Sequence, residues 1–172
     1  MVDQYRREGL QIVFVANGSF QTHFHDIARR HGLQARVAVC NFSESLSRLA
    51  YAASDFVLMP SRFEPCGLPQ MISCKYGSLP VAHDTGGIHD TITPLDIERN
   101  TGNGFLFRDY DSRALSWGLD QAMAFFRQPE DVRTRQIGRI MRDSAERFTH
   151  AVTAKGYLRL YETMLDRPMI RG

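Results

Sequence analysis

The stretch Asp55-Phe56-Val57-Leu58-Met59-Pro60 runs directly into Ser61-Arg62-Phe63-Glu64-Pro65-Cys66-Gly67-Leu68, so that an apolar segment is followed by a turn containing one acid. A short apolar run that ends at a proline is typical of a buried strand. We expect a helix over about residues 67–76 and another strand over residues 78–82. A strand, a helix and a second strand in this order predict a parallel pair joined by a right-handed crossover.

The same alternation continues on both sides of this unit. Upstream, a buried strand is predicted over residues 10–16 and a second strand over 35–40, with helices over 20–31 and 43–53. Downstream, residues 104–107 predict a fifth strand near an edge, and helices are expected over 114–127, 129–148 and 152–165. The polar loop 93–103 is the best candidate for local disorder.

Near-continuous apolar strands separated by helices indicate a sheet that is covered on both faces. The sequence therefore predicts an α/β fold, with a Rossmann-like parallel sheet, helices on both faces and a helical C-terminal region. A chain of 172 residues is expected to form a single domain.

Charge and composition exclude several classes of function. A net charge of +2 gives no reason to expect nucleic acid or an anionic membrane as a partner. We find no apolar run long enough to span a bilayer, and neither end resembles a signal peptide. Three cysteines without metal-ligand spacing indicate reduced thiols in a cytoplasmic protein, with no metal site and no cofactor.

Three of the predicted strands end in turns that are suited to binding a ligand. In a parallel sheet, ligands bind beyond the carboxyl ends of the strands, where helix N-termini present free N–H groups. Glu64 is placed to accept hydrogen bonds from sugar hydroxyls, and the amides of Cys66, Gly67 and Leu68 are placed to donate them. The other two turns are Asn17-Gly18-Ser19 and Asp84-Thr85-Gly86-Gly87-Ile88.

Each of these features also has a purely structural interpretation. Glu64 could be a surface turn residue or a partner of a helix N-terminus, and Thr85-Gly86-Gly87 could be a plain tight turn. Cys66 is expected to be a small packed residue, since no base lies near it in the sequence. The remaining expectations are a core or rim role for His83, core positions for Trp117, Phe125 and Phe126, and a solvated face for Arg133, Arg135, Arg139 and Arg142.

Three segments together resemble a known family. They are residues 60–68, Lys75-Tyr76-Gly77-Ser78-Leu79-Pro80, and Thr85-Gly86-Gly87-Ile88-His89-Asp90-Thr91. They look like the C-terminal domain of bacterial glycogen synthases and plant starch synthases, and the similarity extends over about residues 10–165.

The resemblance implies the C-terminal half of a GT-B fold that binds ADP-glucose or UDP-glucose and transfers glucose to an α-1,4-glucan with retention. It makes Glu64 the catalytic residue and assigns the donor sugar or diphosphate to Cys66, Gly67, Leu68, Thr85, Gly86, Gly87 and Gly18. Phe42 falls where the family places an aromatic ring against the nucleotide base. The last helix resembles one that packs back across the cleft.

Departures from the family pattern bear on what this chain does alone. The N-terminal GT-B domain and the segment with the diphosphate-binding Arg and Lys have no counterpart here. Asn17-Gly18-Ser19 stands in place of the usual Gly-x-Gly turn, Asp84 in place of a basic residue, and Ile72 where many other GT-B transferases have a second Glu. We therefore expect residues 1–172 to be one nucleotide-sugar-binding domain, incomplete at its N-terminus and inactive alone.

Two alternatives stay open. The chain could belong to a GT-B transferase that uses another sugar nucleotide, although Cys66 favours the glucan synthases, since other branches usually carry an apolar residue there. It could also be a non-catalytic or isolated binding module. A Rossmann dehydrogenase is disfavoured because the first turn lacks the G-x-G-x-x-G pattern.

Overall fold

The computed structural model describes residues 9–168, in which five strands and seven helices alternate and then give way to helices alone. The strands are β1 (Ile12–Val15), β2 (Val37–Cys40), β3 (Phe56–Met59), β4 (Leu79–His83) and β5 (Phe105–Phe107). The helices are α1 (Gln21–Arg30), α2 (Glu44–Ala53), α3 (Pro69–Tyr76), α4 (Gly86–Thr91), α5 (Ser112–Phe126), α6 (Glu130–Arg147) and α7 (His150–Leu165). Residues 1–8 and 169–172, the two ends in which no signal peptide is recognised, lie outside the described part.

All strand pairs are parallel, as predicted, but they form two ladders rather than one sheet. β1 pairs with β2, from Ile12 opposite Val37 to Val15 opposite Cys40. The second ladder has the order β3-β4-β5, which puts β5 at an edge as expected. Within residues 9–168 no ladder joins β1 to β3. Apolar patterns report burial and not pairing partners, so the sequence could not reveal this division.

The hydrophobic core surrounds the second ladder. Every residue of β4 is buried, and this strand contacts both α3 and α5. The first ladder is more open: Val13 is 56% exposed and no residue of β1 is fully buried. The prediction of a buried first strand is therefore wrong, because β1 has a neighbouring strand on only one side.

Local sequence signals account for most helix boundaries. Ser43 begins α2, with its Oγ accepting from the Leu46 amide at 3.1 Å, and Asp111 begins α5 by accepting from two amides. Gly77 ends α3 with a φ of 83°, which glycine adopts without strain. The sequence did not predict α4, because a six-residue helix that starts with paired glycines has no recognisable period.

The loop 93–103 is an ordered hairpin, which corrects the expectation of local disorder. Asp96 and Thr101 exchange backbone hydrogen bonds of 2.9 and 3.0 Å. From α6, Arg139 donates through Nη2 to the Gly102 carbonyl at 2.7 Å, and Gln136 donates to Asn100 Oδ1 at 2.7 Å. This loop therefore accepts hydrogen bonds from a distant helix, and these bonds keep the loop ordered.

Two other expectations about side chains on the C-terminal helices need correction. Arg139 is only 16% exposed and Arg133 lies over the Phe126 ring at 5.1 Å, so the arginine run is not one solvated face. Phe125 is buried as expected, whereas Trp117 is 52% and Phe126 39% exposed.

Helix α7 has no buried residue, although much of its sequence is apolar. Its exposed apolar side chains are Val152, Tyr157, Leu160, Tyr161, Met164 and Leu165. Isolated helices of this length are marginally stable in water, so α7 is expected to open more readily than the helices that pack on the core.

The variant Gly156→Ala tests this property of α7. Gly156 lies inside the helix, and a Cβ added there would meet no atom within 4 Å. Alanine favours a helix over glycine by about 1 kcal/mol, so amide exchange in α7 should slow by about fivefold. Hydrogen exchange followed by mass spectrometry measures this, and unchanged or faster exchange would contradict the prediction.

Candidate active site

The candidate site lies where the strands end. Loop 60–68 connects β3 to α3, and Asp84-Thr85 connects β4 to α4. Because β3 and β4 are adjacent parallel strands, their carboxyl ends bring these two connections to the same edge of the ladder.

Backbone contacts fasten the Glu64 loop to the start of α4. The Gly87 amide donates to the Glu64 carbonyl at 2.8 Å. A Cβ on Gly86 would collide with this carbonyl oxygen, and a Cβ on Gly87 would collide with the backbone of Cys66. The paired glycines are therefore required by a close approach of two backbone segments, whatever ligand binds here.

Gln70, which the sequence did not single out, holds the same two segments together. Its side chain is fully buried, and Nε2 donates to the Cys66 carbonyl at 3.0 Å and to Thr91 Oγ1 at 3.1 Å. Gly67 has a φ of +72°, and a Cβ there would collide with the Gln70 amide group. Gly67 is therefore needed because the Gln70 side chain occupies the space in which a Cβ would lie.

His83 fixes the other end of the loop. The ring is 8% exposed and lies 5.7 Å from Phe107. Its Nδ1 is 2.8 Å from the Ser61 carbonyl and its Nε2 is 3.0 Å from the Arg108 carbonyl. Both oxygens only accept, so a neutral ring donates to one of them and a doubly protonated ring to both. The structure thus gives His83 a positioning role in the core, as predicted.

Several amides at this edge have no hydrogen-bond partner among residues 9–168. Among them are the amides of Cys66, Gly67, Leu68, Thr85 and Gly86, and the earlier part of the loop, residues 61–64, adds others. The Gly87 amide, which the resemblance also places near the donor, differs from the five named amides because it donates to the Glu64 carbonyl. Unpaired N–H groups near the ends of two strands are suited to an anionic or polyhydroxylated ligand.

The Glu64 side chain is half-buried beside these amides, and its Oε2 accepts from Ser61 Oγ at 3.4 Å. One long hydrogen bond leaves most of the accepting capacity of the carboxylate for a ligand. A carboxylate of this kind can bind hydroxyl groups or stabilise a nearby positive charge.

Phe42 and Gly18 lie at the end of the other ladder. The Phe42 ring is 55% exposed, and its amide donates to Asn17 Oδ1 at 3.0 Å, which links the turn after β2 to the turn after β1. A Cβ on Gly18 would meet nothing within 4 Å. No hydrogen bond described for residues 9–168 joins this pair to Glu64, so the structure groups the predicted site residues into two clusters.

The cysteines differ sharply in their surroundings. Cys66 is exposed, contrary to the expectation of a packed side chain, and Cys40 is partly buried. Burial raises the pKa of the Cys74 thiol to about 12. Within the described residues no group of three or more His, Cys, Asp or Glu side chains could hold a metal ion. No helix in that part of the chain is long and apolar enough to span a membrane.

Comparisons with known proteins identify the family of this chain. The family described as glycosyl transferases group 1 matches residues 2–136. The glycogen synthase of Desulforudis audaxviator is 35% identical over 171 residues, which make up 97% of this chain and 33% of that protein. The glycogen synthase of Clostridioides difficile is 40% identical over 134 residues, or 76% of this chain and 27% of that protein. The chain thus spans about a third of the length of such relatives.

Solved structures extend the comparison to the fold. The catalytic domain of starch synthase IV from Arabidopsis thaliana, bound to ADP and acarbose, superposes with a TM-score of 0.81 at 31% identity and covers 96% of this chain and 34% of that one. HepE from Anabaena, in complex with UDP, shares the fold with a TM-score of 0.69 at 20% identity, covering 96% of this chain and 44% of that one. From the family match and these likenesses, this chain belongs to the group 1 glycosyl transferases, has the α/β fold of GT-B enzymes and is similar to glycogen and starch synthases.

Proposed function

We propose that this chain is the nucleotide-sugar-binding domain of a glucosyltransferase of the glycogen/starch synthase type. The proposed donor is ADP-glucose or UDP-glucose, and the proposed acceptor is an α-1,4-glucan. The observation that carries the proposal is the half-buried Glu64 beside unpaired amides from two strand-end segments. The Arabidopsis starch synthase IV catalytic domain is bound to ADP and acarbose, which supports a nucleotide and a saccharide as the ligands of such a domain.

Each part of the donor has a matching group. The free amides of Cys66, Gly67 and Leu68 would donate to glucose hydroxyls, and those of Thr85 and Gly86 to sugar or diphosphate oxygens. The exposed Phe42 ring would stack on the nucleotide base. Gly18 would let the chain approach the donor closely, since nothing fills the space beside it.

The proposed reaction is a front-side displacement with retention at the anomeric carbon. The bond from this carbon to the diphosphate oxygen breaks, and its electron pair leaves with the diphosphate. The acceptor hydroxyl attacks from the same face and loses its proton to the departing phosphate oxygen. Glu64 would stabilise the positive charge that develops on the sugar. No protein nucleophile is required, which agrees with the absence of a base close to the Cys66 thiol in sequence.

We further propose that catalysis requires a second domain and takes place in the cytoplasm. The chain spans only about a third of the glycogen synthases that it resembles. Neutral amides and an anionic carboxylate cannot neutralise a diphosphate, so bond cleavage needs cations that the groups assigned here do not supply. The exposed apolar side chains of α7 offer a surface for such a domain.

Titration of the chain with ADP-glucose, UDP-glucose and GDP-mannose, followed by amide NMR, tests the donor assignment. ADP-glucose or UDP-glucose should shift the five free amides, with GDP-mannose binding at least tenfold more weakly. Phe42→Ala should weaken nucleotide binding by about 1–3 kcal/mol, the usual contribution of a stacked base. Tyr157→Ala, an exposed ring on α7, is the matched control and should leave affinity unchanged.

Different outcomes separate the alternatives. Preferred binding of another sugar nucleotide at the same amides would support the different GT-B transferase considered above. Failure of every nucleotide sugar to bind would overturn the proposal.

A further inference from the structure

A cavity of about 880 Å³ lies beside the candidate site, between α4, β5 and the first turns of α5. Its floor is apolar, since Ile92, Leu106 and Phe107 are among the residues that line it. Its volume is within the range of about 300–1,000 Å³ that is common for ligand sites. None of the groups assigned above to the donor lines this cavity.

Trp117, the only tryptophan in the sequence, forms part of the cavity wall. The next residue, Gly118, is buried, and a Cβ there would touch Phe107 and Val81, so α5 packs closely on the ladder at this point. Trp117 itself is 52% exposed. An indole in a concave, apolar-floored site offers a flat surface for the apolar face of a ligand.

Side chains of both charge signs line the same cavity as Trp117. Asp84 and Asp109 face the cavity together with Arg108, Arg113 and His89. His89 Nδ1 lies 2.7 Å from Asp84 Oδ1, which fixes the Asp84 carboxylate. Such a mixture penalises a polyanion and a cation alike, whereas each hydroxyl of a neutral polyol can donate to a carboxylate and accept from a guanidinium.

We propose that this cavity binds an α-1,4-linked glucan, with one pyranose ring stacked on Trp117 and its hydroxyls bonded to Asp109 and Arg113. The identity of the glucan rests on the function proposed above. Asp84 directly precedes Thr85, so a glucan bound in the cavity is held next to the donor-binding edge. Binding at this second place raises the local concentration of acceptor ends near the donor.

Trp117 also provides the test, because fluorescence of the chain at tryptophan wavelengths comes from this residue alone. Maltopentaose should change its emission saturably, with a Kd on the order of millimolar. By calorimetry, Trp117→Ala and Asp109→Asn should each weaken maltopentaose binding by at least fivefold. Both side chains are exposed, and circular dichroism verifies that each variant is folded. Tyr157→Ala is the control for loss of an exposed ring and should bind normally.

Three results would overturn the inference. The first is the absence of any maltopentaose binding. The second is maltopentaose binding that neither changes the emission of Trp117 in the parent chain nor is weakened by Trp117→Ala. The third is equal binding of cellopentaose, whose β-linkages give a straighter chain. These outcomes are independent of the donor titration. ADP-glucose binding without maltopentaose binding rejects only the cavity, and the reverse result rejects only the donor site.

Discussion

Glu64→Ala is expected to lower the kcat of glucosyl transfer by about 10²–10³-fold, while donor affinity changes by less than about tenfold. Loss of one preorganised group that stabilises transition-state charge has effects of this size. Among residues 9–168 the Glu64 carboxylate has only the Ser61 hydroxyl as a hydrogen-bond partner, and the unreacted donor can be held largely by the amides of the same loop. An effect mainly on kcat is the signature of an interaction made in the transition state.

The measurement needs an active enzyme. A suitable one is a chimera in which this chain replaces the matching third of the Desulforudis audaxviator glycogen synthase, which is 35% identical to it over 171 residues. Steady-state kinetics with ADP-glucose and glycogen give kcat and KM, and Glu146→Ala, an exposed acid on α6, is the control. A near-normal kcat for Glu64→Ala in the active chimera would remove Glu64 from the mechanism.

Gly87→Ala is expected to destabilise the chain by about 1–3 kcal/mol and to weaken donor binding by at least about tenfold. The added methyl would occupy the position of the Cys66 carbonyl, and backbone atoms cannot move aside as the end of a flexible side chain can. Separation of the two segments would also break the 2.8 Å hydrogen bond from the Gly87 amide to the Glu64 carbonyl. The free amides of both segments would then no longer converge on one ligand.

Urea denaturation measures the free energy of unfolding, and calorimetry with ADP-glucose measures affinity. Gly18→Ala is the matched substitution for stability, since its Cβ would meet nothing within 4 Å and the stability should stay within about 0.5 kcal/mol of the parent. If Gly87→Ala were as stable as Gly18→Ala, the close packing of α4 on the Glu64 loop would not exist in solution.

Local patterns were sufficient to predict most elements of this fold. Alternating apolar runs and amphipathic segments gave five parallel strands and six of the seven helices, with boundaries mostly within two residues. The loop that contains Glu64 was found because a strand, a turn with an acid and a helix follow one another directly. These signals are contiguous in sequence, and the physics behind them is local.

Features that depend on distant residues were not predictable. Gln70 became visible only when its contacts with Cys66 and Thr91 were known, since a buried glutamine has no sequence signature of its own. Trp117 was expected in the core. The spacing of apolar residues along a helix shows which side is apolar, but it does not show which part of that side lines a cavity. Ordering of loop 93–103 depends on Arg139 and Gln136, more than thirty residues further along the chain.

The division of the strands into two ladders has a consequence for handling the protein. Within residues 9–168, β1 and β3 pair with a strand on one side only, as the edge strands β2 and β5 also do, so each has a row of backbone N–H and C=O groups without a ladder partner. Val13 adds an exposed apolar side chain to the first of these rows. Open edges of this kind recruit extended segments from other molecules and are a common origin of aggregation. Solubility at high concentration therefore depends on what covers these edge strands as much as on the net charge.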